Sequence, residues 1–270
     1  MEIIKALIEA KITSPRLEAD IILRFAAPNY PEMALQEKKK INECIQRRCK
    51  HEPLDKIIGK KDFYKSTFKV SADVLSPRPD TEILVEEALE LIKPDTKECI
   101  LDLGTGSGCI LLSVLKERPQ CKGTGVDISS KAIDIAQENA ESMGLKNSVK
   151  FVNSDWNDMR LFDKKFDMII SNPPYISKEE IKTLDIEVKE YDPYIALDGG
   201  EDGLECYREI AKIAPKLLKN GGYILFEVGY NQANDVEKIC VLQGLKKIKI
   251  KQDLAGINRC IIFQNNYTEK

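Results

Sequence analysis

Cys99-Ile100-Leu101-Asp102-Leu103-Gly104-Thr105-Gly106-Ser107-Gly108 is the stretch that decides the fold. Its apolar run reads as a buried strand, and three alternating glycines stop that strand before an apolar helix over residues 109–116. Outward from it, strand and helix keep alternating. Strands are expected at 123–127, 149–152, 166–170 and 223–228, with helices at about 129–143, 178–189, 204–219 and 232–242. Residues 245–250 and 259–263 flank Asp253-Leu254-Ala255-Gly256 and read as a closing antiparallel pair. The expected fold is α/β: a doubly wound, mostly parallel, seven-stranded Rossmann-like sheet with an antiparallel edge hairpin. Residues 1–58 form a separate small helical domain, where Ile3, Ile4, Leu7 and Ile8 recur at helical spacing and Ser14-Pro15 starts a second helix. Residues 59–76, with Phe63-Tyr64, Phe68, Val70 and Val74, read as a β-hairpin linker to a main domain at 77–270.

Composition narrows the partners. The net charge of −3 argues against a protein that holds nucleic acid by bulk electrostatics. Residues 1–75 carry 15 Lys/Arg against 11 Asp/Glu, so only the front module is mildly basic, as a solvated helix face commonly is. No apolar run approaches the ~18 residues of a membrane span, and Met1-Glu2-Ile3-Ile4-Lys5 does not open like a signal peptide. A cytoplasmic, monomeric protein with no membrane contact is the expectation. Eight cysteines without a CxxC pair, and a single histidine, His51, point to free thiols and no metal site.

The chemistry lies at the carboxyl ends of the strands, where ligands bind in open α/β sheets. A glycine loop before a helix aims backbone N–H groups and a positive helix end at a ligand. Gly104, Thr105, Gly106, Ser107 and Gly108 are spaced G-x-G-x-G, unlike the G-x-G-x-x-G of nicotinamide and flavin sites. Asp127 ends the next strand, where a carboxylate can take both hydroxyls of a ribose. Asp155 and Trp156 follow the third strand; a carboxylate accepting from an exocyclic amine and an indole against the base would hold adenine, although a lone tryptophan also serves as a core residue.

The fourth strand ends in Ser171-Asn172-Pro173-Pro174-Tyr175, where two prolines forbid both helix and ladder pairing. A plain turn would account for Asn-Pro alone. Beside a nucleoside site it gains a second meaning. The Asn172 side-chain oxygen and the Pro173 carbonyl can accept the two N–H bonds of a planar nitrogen, presenting it edge-on to an electrophilic carbon, while Pro174 and Tyr175 wall the planar group. An adenosine site without a phosphate-binding lysine suits S-adenosylmethionine, and no general base stands out. Arg78, stiffened between Pro77 and Pro79, suits either a carboxylate clamp or a surface ion pair.

These motifs resemble class I methyltransferases that modify planar nitrogens, and more closely the bacterial release factor glutamine methyltransferases, the PrmC or HemK family. The resemblance runs from about Glu52 to Phe263. It extends to Phe63-Tyr64, Ser76-Pro77-Arg78-Pro79-Asp80-Thr81-Glu82, the stretch from Ala196 to Leu204, Tyr207-Arg208, Phe226-Glu227-Val228-Gly229 and Asp253-Leu254-Ala255-Gly256. It implies methylation of the glutamine side-chain amide in the Gly-Gly-Gln motif of class I peptide-chain release factors, with S-adenosylmethionine along Gly104 to Gly108, Asp127, Asp155, Trp156 and Asn172. Asn172 to Tyr175 would hold the glutamine, with Asn172, Pro173 and Tyr175 as the catalytic set, and the helical front module would help grip the release factor. A DNA or RNA amino-methyltransferase is the rival, since Asn-Pro-Pro-Tyr serves exocyclic amines too; the missing basic target-recognition domain speaks against it.

Overall fold

The computed structural model describes residues 2–28, 34–158, 160, 162 and 164–266. It opens with helices α1 (Glu2–Glu9), α2 (Pro15–Ala26), α3 (Leu35–Arg48) and α4 (Leu54–Ile58). Pro15 stands in the first turn of α2, where its missing N–H is no loss. Leu7, Ile22, Ile41 and Cys44 bury in two small apolar clusters confined to this helical part. The hairpin β1 (Lys60–Phe63) and β2 (Ser66–Lys69) follows. Phe63 and Phe68, edge to face with ring centroids 6.1 Å apart, pack into the core of the large sheet rather than onto the helices.

The remaining elements are α5 (Glu82–Leu91), β3 (Cys99–Leu103), α6 (Cys109–Glu117), β4 (Lys122–Asp127), α7 (Ser130–Ser142), β5 (Val149–Asn153), β6 (Phe166–Ser171), α8 (Lys178–Ile181), α9 (Ile186–Lys189), α10 (Glu205–Leu217), β7 (Leu218–Glu227), α11 (Ala233–Leu242), β8 (Leu245–Gln252) and β9 (Asn258–Asn265). Seven strands form one sheet in the order β5-β4-β3-β6-β7-β9-β8. The five strands from β5 to β7 run parallel, and β9 is antiparallel to both β7 and β8. The expected α/β sheet with an antiparallel closing pair is therefore the observed one. One core lies under α10 and α11, the other under α5 and α6.

Two details differ from the sequence expectation. The helix expected over 178–189 is broken into α8 and α9, because Asp185 turns out of the helical region and its side chain caps the N–H of Glu187. β7 begins at Leu218, five residues before the expected 223, and a register irregularity between Phe166 and Met168 absorbs its glycine pair. The buried Cys44, Cys109, Cys121, Cys240 and Cys260 are free thiols, serving as small apolar side chains. Among the described residues no helix is long and apolar enough to cross a membrane.

Candidate active site

The sheet order reverses between β3 and β6, the topological switch point of a doubly wound fold. The pairing of Asp102 with Ile170 sets the glycine loop beside the Asn-Pro-Pro segment at the same end of the sheet. A cleft of about 280 Å³ opens there.

At one end stands the glycine loop. Gly104, Gly106 and Gly108 have φ of +75°, +54° and +79°, the left-handed region that other residues adopt only with strain, which explains the alternating pattern. The Gly106 N–H donates to Asp127 Oδ2 at 2.8 Å and the Ser129 N–H to Oδ1 at 2.9 Å. Burial raises the Asp127 carboxyl above the usual carboxylate range, and these two N–H groups oppose the rise. Behind the loop Asp102 is fully buried, accepts from the Thr105 hydroxyl at 2.7 Å, and is pushed up to about 7 by burial. Gly106 faces open space, while a Cβ on Gly104 would stand 3.6 Å from the Trp156 ring. The Trp156 indole N–H donates to Glu209 Oε2 at 3.0 Å.

Of the residues assigned to this end by sequence, Gly104, Thr105, Gly106, Ser107, Asp127, Asp155, Trp156 and Asn172 all line the cleft. Gly108 stands behind them: a Cβ there would meet Leu112 at 3.1 Å and Ala136 at 3.3 Å, so its place is in helix packing.

Asn172 occupies the opposite end. The Ser171 hydroxyl donates to Leu103 O at 2.6 Å and ties the end of β6 to β3. Asn172 Nδ2 faces the Thr81 hydroxyl at 3.4 Å. Among the described residues, neither Asn172 Oδ1 nor the Pro173 carbonyl accepts a hydrogen bond. Pro174 lines the cleft; Pro173 is buried behind it. The Tyr175 side chain also lies outside the lining: its hydroxyl donates to Glu227 Oε1 at 3.3 Å, and its ring edge lies against Gly229, where a Cβ would come within 3.0 Å. The stretch from Ala196 to Leu204 wraps this backbone, since a Cβ on Gly199 would meet Tyr175 Cα at 2.8 Å.

Arg78 lines the cleft and is also an ion pair. Its guanidinium lies 2.7 Å from Asp192 Oδ2, and Lys56 Nζ lies 2.7 Å from Asp192 Oδ1. The Lys56 and Asp192 side chains are 2% and 1% exposed, so this is a buried junction between α4 and the segment after α9. That segment supplies Pro193, Ile195 and Ala196 to the cleft wall. Sequence reasoning placed none of Thr81, Asp192, Glu209 and Glu227 in the site. Thr81 and Glu227 lie in stretches that carried the family resemblance, which was the available signal; Glu209, on α10, had none.

A parallel sheet with a glycine loop, an acidic residue after the second strand and Asn-Pro-Pro-Tyr after the fourth defines a methyltransferase, and residues 94–264 match the methyltransferase domain family. A methyltransferase from Pyrococcus furiosus shares the fold, with a TM-score of 0.55 at 19% identity over 74% of this chain and 89% of that one. A release factor glutamine methyltransferase from Caulobacter vibrioides is 39% identical over 97% of this chain and 93% of that protein. Another, from Thermodesulfovibrio yellowstonii, is 43% identical over 87% of this chain and 85% of its own length. The chain belongs to the release factor glutamine methyltransferase family.

Proposed function

We propose that this protein transfers the methyl group of S-adenosylmethionine to the side-chain amide nitrogen (N5) of the glutamine in the Gly-Gly-Gln motif of class I release factors, tuning translation termination. The observation that carries this reading is a pair of acceptors that take no hydrogen bond among the described residues: Asn172 Oδ1, on a residue that lines the cleft, and the carbonyl of the next residue, Pro173. An amide –NH2 offers two in-plane N–H donors to such a pair. Accepting both holds the nitrogen edge-on and raises its electron density, so that binding geometry and charge stabilisation act on the same atom.

The cleft fits the cofactor. S-adenosylmethionine, when bound, supplies an electrophilic methyl group on a sulfonium cation. Asp127 retains lone pairs beyond the two spent on Gly106 and Ser129, enough to accept from ribose hydroxyls. Trp156 lies across the loop with its ring against Gly104, available to a nucleobase. Among the described residues, Asp73, Asp127, Asp155, Asp198 and Glu209 line the cleft against a single cation, Arg78. That balance favours a cationic ligand and disfavours a polyphosphate. The helical module of residues 1–58 supplies part of the grip on the release factor; Arg48 meets Glu187 at 2.7 Å, and the Tyr191 hydroxyl donates to Lys50 O at 2.7 Å, joining the module to the cleft wall.

The test is mass spectrometry of the Gly-Gly-Gln peptide from release factor incubated with the protein and labelled S-adenosylmethionine, beside an equal incubation with oligonucleotides. One added methyl group on the glutamine is expected. Label in nucleic acid alone would overturn the reading.

A further inference from the structure

The cleft wall is acidic, yet the cofactor assigned to it carries a carboxylate of its own. The methionine half of S-adenosylmethionine ends in an α-ammonium and an α-carboxylate. Acidic side chains can receive the ammonium, but the carboxylate needs donors. The glycine loop has few to give. The N–H groups of Gly104 and Thr105 donate to Val126 O at 2.9 and 3.0 Å, that of Gly106 to Asp127 Oδ2 at 2.8 Å, and that of Gly108 to Thr105 O at 2.8 Å. Four of the five N–H groups from Gly104 to Gly108 are thus spent on the protein itself.

Donors stand instead on Ser76-Pro77-Arg78-Pro79. Each residue before a proline is kept out of the helical region, and Arg78 is extended, with φ −99° and ψ +145°. Two residues apart in extended chain, Ser76 and Arg78 face the same way, and both line the cleft. Ser76 is 3% exposed, yet its Oγ has no hydrogen-bond partner among the described residues. A buried hydroxyl left unpaired weakens a fold unless a ligand supplies the partner.

Arg78 has charge to spare. Its Nη2 donates to Asp192 Oδ2 at 2.7 Å, and among the described residues its other guanidinium nitrogens, Nε and Nη1, donate to nothing. Asp192 is already matched by the buried Lys56, which spends further donors on Ser71 O and Val74 O. One carboxylate between two cations leaves the trio with a net positive charge. Arg78, its side chain 45% exposed, is the member that presents this charge to the cleft.

We infer that Ser76 and Arg78 form the subsite for the α-carboxylate of S-adenosylmethionine, Ser76 through its hydroxyl and Arg78 through the N–H groups that Asp192 leaves free. The inference rests on the cofactor reading given above and fills the part of it that the glycine loop, Asp127 and Trp156 leave unassigned. Arginine suits the place because one nitrogen can be anchored to Asp192 while the others hold a ligand, which a single ammonium does less well.

Calorimetry with two compounds tests this without turnover: S-adenosylhomocysteine, and its analogue lacking only the α-carboxylate. Wild-type protein should bind the first about 30-fold more tightly than the second, as charge-assisted hydrogen bonds would give. Arg78→Gln should lose about 30-fold for S-adenosylhomocysteine and less than about twofold for the analogue. Ser76→Ala should weaken S-adenosylhomocysteine about fivefold and leave the analogue unchanged. Without ligand it should unfold on heating no earlier than the wild type, because it removes an unpaired buried hydroxyl. Equal losses for the two compounds in Arg78→Gln would mean a wall merely held in shape by an ion pair, and would overturn the inference. So would wild-type protein that binds both compounds equally, a comparison that needs no variant to fold. A Ser76→Ala protein with wild-type affinity for S-adenosylhomocysteine strikes Ser76 from the subsite. Wild-type protein that binds neither compound overturns the cofactor reading, and the inference falls with it.

Discussion

At one end of the cleft, Asp127 is held by backbone N–H groups from Gly106 and Ser129, within a loop whose path is set by three left-handed glycines. At the other end side chains do the building: Thr81 stands beside Asn172, Tyr175 is bonded to Glu227, and Arg78 is held by a buried aspartate. The first end is a local construction, its carboxylate held within β3, β4 and the loops that follow them. The second is assembled from four separate parts of the chain. Backbone construction is tolerant of distant change and intolerant of a changed glycine, whereas side-chain construction has the opposite weaknesses. Substitutions at each end should therefore fail in different ways.

The largest expected effect comes from the farthest support. Asp192→Ala leaves Lys56 and Arg78 without their shared carboxylate, and Lys56 is buried. Removing one partner of a buried pair costs about 3–5 kcal/mol, although Lys56 keeps its bonds to Ser71 O at 3.0 Å and Val74 O at 2.6 Å. Urea unfolding should report a loss near the lower figure. A loss under about 1 kcal/mol would mean that the acceptor end does not depend on this junction.

Asn172→Ala strikes the same end without touching the fold. Losing an acceptor that works on the reacting nitrogen should cost about 3 kcal/mol, or two orders of magnitude in kcat. Cofactor affinity, measured by calorimetry, should change little, because the loop and Asp127 are intact. Unchanged transfer would remove Asn172 from the mechanism and with it the division between the two ends.

That division also explains what could be read in the sequence. The glycine loop, Asp127 and the stop at Asn172-Pro173 are dictated by neighbours in the chain: positive φ calls for glycine, and two prolines end a strand. Thr81 meets Asn172 across 91 residues and Arg78 meets Asp192 across 114, and no local pattern records such pairings. Adjacency misleads at Tyr175, which sits three residues from Asn172 and suggests a cleft wall. Its hydroxyl is drawn instead to Glu227, a residue placed there by β7. The break between α8 and α9 was hidden for a related reason. Asp185 is compatible with a helix interior, and only its capping bond to Glu187 reveals the stop.

Gly106→Ala tests the backbone end with a smaller expected effect. No atom lies within 4 Å of the added Cβ, so crowding contributes nothing and the φ of +54° contributes everything. The strain of a left-handed alanine is about 1–2 kcal/mol. It should appear as roughly tenfold weaker S-adenosylmethionine binding by calorimetry, with the Asn172 end unaffected. A full-affinity variant would show that the loop tolerates another path.

Trp156→Phe makes the finest cut, because it removes one hydrogen bond and keeps an aromatic ring. The indole N–H donates to Glu209 Oε2 at 3.0 Å, and Asn157 Nδ2 reaches the same oxygen at 3.3 Å. Glu209 is half-buried and keeps Asn157 and solvent as partners, so the loss should be about 1 kcal/mol rather than the full cost of an orphaned charge. Phenylalanine still covers Gly104, but no bond to α10 fixes its plane. The deficit should therefore fall on cofactor affinity, on the order of fivefold by calorimetry. Glu209→Gln, which can still accept through its amide oxygen, should lose less than Trp156→Phe. Equal losses in the two variants would mean that the charge of Glu209 acts on the ligand directly, and that even the backbone-built end depends on a side chain from a distant helix.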